Sequence, residues 1–80
     1  MTKFELKIIS PVETLYNGEC ESLTVPTSDG FYGIMANHSP AVISVSEGNI
    51  KIKNGETENK VSVSAALLCC KNNKVTIAIQ

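Results

Sequence analysis

The stretch NIKIKNGETENKVSVS, residues 49–64, decides the fold class of this chain. Ile50 and Ile52 alternate with polar residues in its first half, and Val61 and Val63 do so in its second half. This period of two is typical of strands that bury one face. Asn54-Gly55 is the strongest short hairpin signal in the chain, because both central positions of a type I′ turn need positive φ. The stretch therefore predicts an antiparallel hairpin with its isoleucines and valines in the core.

Strand patterns continue on both sides of this hairpin. We expect further strands at residues 3–9, 12–16, 19–25, 31–35, 41–46 and 75–79. Residues 65–70 form an unbroken apolar run, which predicts a strand covered on both faces. No segment has the apolar spacing of an amphipathic helix. The chain is therefore predicted to be all-β, with two packed antiparallel sheets in a flattened β-sandwich or barrel, as one domain over residues 1–80.

One strand boundary is irregular. Residues 12–16 and 19–25 are expected to be two strands or one long bent strand, with Asn17-Gly18 as the turn or bulge between them. Cys20 differs in parity from Leu23, so we expect a register change near Glu21-Ser22.

The composition limits the classes of partner. The formal net charge is −1 and the pI is about 5.7, which argues against a nucleic-acid partner. All seven cationic side chains are lysines, so the bidentate forks of phosphate clamps are absent. No apolar signal region begins the chain, and no apolar run approaches membrane-spanning length. We expect a cytoplasmic protein without direct membrane insertion.

The three cysteines have no metal-binding or disulfide pattern. Cys20 stands alone, Cys69 and Cys70 are adjacent, and the count is odd. Successive strand residues project to opposite faces, which argues against a redox pair. We expect buried free thiols, no metal and no cofactor.

Residues 28–40, SDGFYGIMANHSP, interrupt the strands and form the most specialised part of the chain. Turn residues at both ends predict that the backbone bends twice around a short strand at 31–35. Gly30 and Gly33 are expected to be turn glycines. Phe31 and Tyr32 should face opposite ways, so either can be an exposed interface anchor, and core packing stays open for both.

His38, Ser39 and Asp29 contain the side chains of a nucleophilic triad. Adjacent residues on an extended backbone point apart, however, so catalysis is not expected. Two interpretations of His38 stay open: a loop residue that bonds to its own turn, and a residue that docks to a partner.

Three groups of residues carry a resemblance to a known family. Ser28-Asp29-Gly30, Gly33-Ile34 and His38-Ser39-Pro40 resemble the S-E-G, G-I and G-H-A-P signature of F-type ATP synthase subunit epsilon, whose N-terminal β-sandwich the chain is similar to along nearly its whole length. The resemblance implies a non-catalytic central-stalk subunit that couples proton or sodium ion flow to ATP synthesis. Its implied partners are subunit gamma and the ring of c subunits. It places Ser10, Asn37, His38 and Ile43 at the gamma interface, and Asp29, Gly30, Phe31 and Tyr32 at the c-ring interface.

Several residues depart from the family pattern. Ala36-Asn37 replace the usual proline-glycine pair, and Phe31 replaces a common acidic residue, which predicts a more apolar ring contact. The sequence ends at Gln80, where family members usually continue into a two-helix hairpin, so we expect no nucleotide binding. Two alternatives remain: a free-standing β-sandwich interaction module with another partner, and a small enzyme, which the lack of convergent titratable groups opposes.

Overall fold

The computed structural model describes residues 2–80, which form nine strands and no helix. This confirms the all-β prediction. The strands are β1 (Phe4–Ile9), β2 (Thr14–Cys20), β3 (Ser22–Thr27), β4 (Gly30–Met35), β5 (Ala41–Val45), β6 (Gly48–Asn54), β7 (Thr57–Val63), β8 (Ala66–Lys71) and β9 (Lys74–Ile79).

The strands form two sheets that pack face to face as a β-sandwich, which confirms the predicted architecture. The larger sheet has the order β2-β1-β9-β8-β5 and the smaller one β4-β3-β6-β7. Neighbouring strands are antiparallel except for β1 and β9, which are parallel. A parallel pair needs a long connection, and here the connection is the rest of the domain. The first and last strands therefore hold each other in the middle of the larger sheet.

The core lies between the inner faces of the two sheets. Buried residues alternate along the strands as the sequence predicts, and Val61 is half-buried and packs against them. The largest fully buried side chains are Phe4, Leu6, Ile8, Leu23, Ile34, Ile50, Ile52, Leu68 and Ile77.

The predicted turn at Asn17-Gly18 is wrong, since β2 continues through both residues and pairs with β1. Strand pairing overrides the local turn preference here. The expected register change lies at Glu21, because Cys20 pairs within the larger sheet and Ser22 within the smaller one. This crossing lets Cys20 and Leu23 both reach the core despite their different parity.

The hairpin between β6 and β7 is confirmed, but its turn lies one residue later than predicted. Asn54 pairs with Thr57, so Gly55 and Glu56 are the central residues, and of these only Gly55 has a positive φ, 60°. Positive φ at the first central position alone is the type II′ pattern. Two consecutive positive φ values occur instead at Asn72 (53°) and Asn73 (60°), as a type I′ turn between β8 and β9 requires.

The prediction that residues 65–70 are covered on both faces is wrong. Ala66, Leu68 and Cys70 face the core, whereas Leu67 and Cys69 face outward and are exposed. A run that is apolar at both parities cannot show from sequence which face is buried. The expectation of buried thiols therefore holds for Cys20 and Cys70 and fails for Cys69. Burial raises the pKa of the Cys20 thiol to about 11 and also raises that of Cys70.

Candidate interaction surface

The segment from Gly30 to Ser46 contains no Asp, Glu, Lys or Arg. It comprises β4, the short connection 36–40 and β5. β4 is an edge strand of the smaller sheet and β5 an edge strand of the larger one. Because the connection is short, the two edges lie on one side of the sandwich. We call residues 30–46 the uncharged side.

Large apolar side chains are exposed on this side. The exposed fractions are 70% for Phe31, 67% for Met35, 69% for Val42 and 39% for Tyr32. Aromatic and Met side chains without charges are typical of the centre of a protein–protein interface. Neither aromatic residue is in the core, which settles the alternative left open for Phe31 and Tyr32. The surface is thus suited to contact with another protein.

Tyr32 and His38 link β4 to the connection that follows it. The Tyr32 hydroxyl lies 2.9 Å from His38 Nε2, and the two rings meet edge to face with centroids 5.7 Å apart. His38 Nδ1 lies 2.7 Å from the carbonyl oxygen of Ser39. A carbonyl only accepts, so Nδ1 carries the proton, and in the neutral ring Nε2 accepts from Tyr32. His38 therefore bonds to its own turn, as one of the two interpretations has it, and Tyr32 adds a contact that the sequence did not show.

Asn73 fixes the connection to the rest of the domain. Its Oδ1 accepts a hydrogen bond from the Asn37 amide at 2.7 Å, and its Nδ2 donates to the Lys3 carbonyl at 3.0 Å. The Glu5 amide donates to the main-chain oxygen of Asn73 at 3.1 Å. One turn residue therefore holds the start of β1 and the uncharged side together. Sequence reasoning missed this role, and the only signal for it was the Asn72-Asn73 turn pair.

Ser10 lies apart from Asn37 and His38. Asn37 is tied through Asn73 to the start of β1, whereas Ser10 follows its end. Six strand residues span about 20 Å. Ser10 Oγ accepts from the amides of Val12 and Glu13 at 3.3 and 3.1 Å and thereby stabilises the turn before β2. The structure does not bring the four residues assigned to gamma into one cluster.

Ile43 is only half-exposed and packs against the core, so much of its side chain is already used by the fold. Its neighbour Val42 projects outward. An aspartate at position 43 would meet the core, so Ile43→Asp would disturb the fold as well as any interface.

The four residues assigned to the c-ring are exposed at the turn between β3 and β4 and in the first part of β4. Thr27 Oγ1 accepts from the Asp29 amide at 3.2 Å, and Gly30 has a φ of 111°, a conformation that favours glycine. Gly33, in contrast, is a strand residue without positive φ, so the expectation of a turn glycine is wrong for it. Lys51 Nζ lies 5.8 Å from the centroid of the Phe31 ring.

Both ring nitrogens of His38 are engaged, by Tyr32 and by the backbone of Ser39. Within residues 2–80, no three His, Cys, Asp or Glu side chains form a group that could hold a metal ion. The same residues contain no helix of the length and apolar content needed to cross a membrane.

The sequence matches the family described as ATP synthase, Delta/Epsilon chain, beta-sandwich domain over residues 3–80. It is 41% identical over 75 residues to the ATP synthase epsilon chain of Leptospira borgpetersenii, which covers 94% of this chain and 59% of the relative. It is 36% identical over 77 residues to the ATP synthase epsilon chain of Caldicellulosiruptor bescii, which covers 96% of this chain and 56% of the relative. The chain thus spans somewhat more than half the length of these relatives.

Two solved structures share the fold. A chain in the cryo-EM structure of the Euglena gracilis mitochondrial ATP synthase, OSCP/F1/c-ring in rotational state 1, gives a TM-score of 0.91 at 17% identity and covers 99% of this chain and 51% of that one. A chain in the central stalk/c-ring structure of the Tetrahymena thermophila mitochondrial ATP synthase gives a TM-score of 0.81 at 14% identity and covers 99% and 64%. At these identities the likeness shows the β-sandwich fold.

Proposed function

This chain belongs to the family of ATP synthase delta/epsilon chain β-sandwich domains, and we propose that it is a central-stalk subunit of an F-type ATP synthase that docks gamma to the c-ring. The family match along residues 3–80 carries the proposal. The domain couples ion flow to ATP synthesis by contact, with no catalytic group of its own. Through the complex it would lie at the cytoplasmic face of the membrane. The coupling ion would be a proton or a sodium ion.

The uncharged side provides the contact with gamma, and the β3–β4 turn with Phe31 provides the contact with the ring. Asn37, His38 and the outward face of β5 lie on the uncharged side. Ser10 lies at the same end of the larger sheet as Ser46. The Ser46 amide donates a hydrogen bond to the Pro26 carbonyl at 2.9 Å, so this end of the sandwich is also the end with the β3–β4 turn. If gamma contacts both Ser10 and His38, it must extend about 20 Å along the sandwich.

The experiment measures binding of the purified chain to gamma and to the c-ring from the same organism by biolayer interferometry. Val42→Asp should weaken gamma binding by tenfold or more, because an unpaired carboxylate in an interface is costly. His38→Ala should also weaken gamma binding. Phe31→Ala should weaken ring binding selectively. Ser62→Asp adds the same charge on the far edge strand β7 and serves as the control.

Two results would contradict this assignment. Unchanged gamma binding by both Val42→Asp and His38→Ala would remove the uncharged side from the gamma interface. No binding of the parent chain to gamma would favour a free-standing interaction module with another partner. We also propose that residues 2–80 bind no nucleotide, since they offer lysines but no arginine fork for a phosphate. A calorimetric isotherm with ATP would contradict that part.

A further inference from the structure

We infer that the free edge of β4 binds an extended, acidic segment of a partner protein by adding it as a further strand to the smaller sheet. The proposed function names partners but no mode of binding, and this inference supplies one. It concerns the backbone of Phe31, Gly33 and Met35 and the lysines on the same face of the sheet.

The pairing with β3 shows which backbone groups of β4 are free. Pro26 lies opposite Phe31 in the register. Proline has no N–H, so these two residues cannot exchange a pair of hydrogen bonds, and the N–H and C=O of Phe31 point away from β3. Pairs alternate along an antiparallel ladder, so the same holds for Gly33 and Met35. No strand within residues 2–80 lies on that side of β4.

The edge of β4 lacks the features that usually prevent strand addition. β4 has no charged residue and no proline. The opposite edge of the same sheet, β7, carries Glu58 and Lys60. Charges, prolines and bulges on edge strands suppress pairing with other chains, and an open edge without them accepts a peptide strand.

Gly33 is a glycine that the fold itself does not require. Its φ is not positive, and a Cβ built there meets no atom within 4 Å. Glycine inside a strand costs stability and often marks a place where another backbone approaches closely. Here it leaves a gap on the outer face between the exposed side chains of Phe31 and Met35. A larger side chain of an added strand fits this gap.

The charge of the outer face indicates an acidic segment. Lys51 and Lys60 are directly opposite each other on β6 and β7, and Lys53 lies on the same face opposite Glu58, so three lysines and one carboxylate leave the strand residues of this face positively charged. None of these three lysines forms an ion pair within residues 2–80. The ion pair found among these residues joins Lys74 to Glu5, on the other sheet. Like charges opposite each other destabilise a sheet, and carboxylates nearby relieve this. Lys51 Nζ reaches over the Phe31 ring of β4, within range of an added strand.

The test uses the chain and a short, capped peptide of alternating valine and glutamate. Amide hydrogen exchange is followed by NMR at Phe31, Gly33 and Met35 with the peptide at roughly millimolar concentration, where weak binding saturates. We expect exchange at these three amides to slow at least tenfold. Lys51→Ala should weaken the effect several-fold, and Lys7→Ala, on the outer face of the larger sheet, should not.

Methylated peptides identify the mode of binding. Residues opposite each other in a sheet have side chains on the same face. The glutamates therefore lie opposite Phe31, Gly33 and Met35, and their amides point toward β4. N-methylation at the glutamates should abolish protection, whereas N-methylation at the valines should preserve it.

Five results would overturn the inference, four of them with added ligands and one with the chain alone. The first four are no protection of the three amides, equal protection by both methylated peptides, equal binding of a valine–lysine peptide, and binding to anionic phospholipid vesicles in place of the peptide. Dimerisation through β4 in sedimentation would assign the edge to a second copy and overturn it as well. None of these readouts involves gamma or the c-ring, so the inference and the proposed function can fail separately.

Discussion

The role of Asn73 gives the sharpest test of how the fold positions the uncharged side. Asn73→Gly removes both side-chain hydrogen bonds, to the Asn37 amide and the Lys3 carbonyl, while glycine adopts the positive φ of 60° without strain. Asn72→Gly is the matched control. Asn72 has a φ of 53° in the same turn, and its side chain forms no hydrogen bond within residues 2–80.

The two variants should differ in stability by the value of two hydrogen bonds. Each such bond contributes about 0.5–1.5 kcal/mol net, so Asn73→Gly should lower the free energy of unfolding by about 1–3 kcal/mol more than Asn72→Gly does. Equilibrium urea denaturation of both variants measures this difference.

Hydrogen exchange locates the effect. The Asn37 amide should exchange faster in Asn73→Gly and not in Asn72→Gly. The Glu5 amide bonds to the main-chain oxygen of Asn73, which both variants keep, so its exchange should not change beyond the global loss of stability. Equal destabilisation by the two variants, or unchanged exchange at Asn37, would refute the reasoning.

Three further predictions follow from burial. The side chain of Ile52 is 1% exposed, so Ile52→Ala should lower the free energy of unfolding by about 2–5 kcal/mol in urea denaturation, and Ile52→Val by about 0.5–1.5 kcal/mol. An unchanged melting temperature for the alanine variant would contradict the core position of Ile52. Burial raises the pKa of Cys20 from 9.0 to about 11. The buried thiol therefore contributes roughly 2–3 kcal/mol to the free energy of unfolding below pH 9, and this contribution is lost as the pH rises through 11. The free energy of unfolding of Cys20→Ala should fall less steeply over the same pH range. Under native conditions iodoacetamide should modify Cys69 first, and mass spectrometry showing equal labelling of Cys20 would contradict its burial.

Local periodicity accounts for most of what the sequence predicts about the fold. The inward residues of β1, β6 and β9 are identified by alternation alone, because a period of two assigns each side chain to a face. The errors occur where local signals compete with pairing. Asn17-Gly18 has turn residues, yet pairing with β1 keeps it in a strand. The parallel neighbours β1 and β9 are far apart in the chain, so no local pattern indicates their contact.

Some features of the interaction surface can be predicted from the sequence, and others depend on the folded structure. Its lack of charge is visible in the sequence, as is the interruption of the strands at residues 28–40. The hydrogen bonds that shape it join residues far apart, such as Asn37 to Asn73, and depend on the completed sheet. Ser10 and His38 are separated for the same reason, since the sequence does not show at which end of the sandwich each lies.

The distribution of burial explains how one segment can serve a partner without weakening the domain. Within the uncharged side, only Ile34 and Val45 belong to the fully buried core among residues 2–80. Asn73 and the Tyr32–His38 contact hold the rest in place from outside the core. Phe31, Met35 and Val42 therefore contribute little to folding and remain available for contact. The Asp, Glu and Lys residues all lie outside residues 30–46, so the uncharged side itself loses little when a partner removes its water.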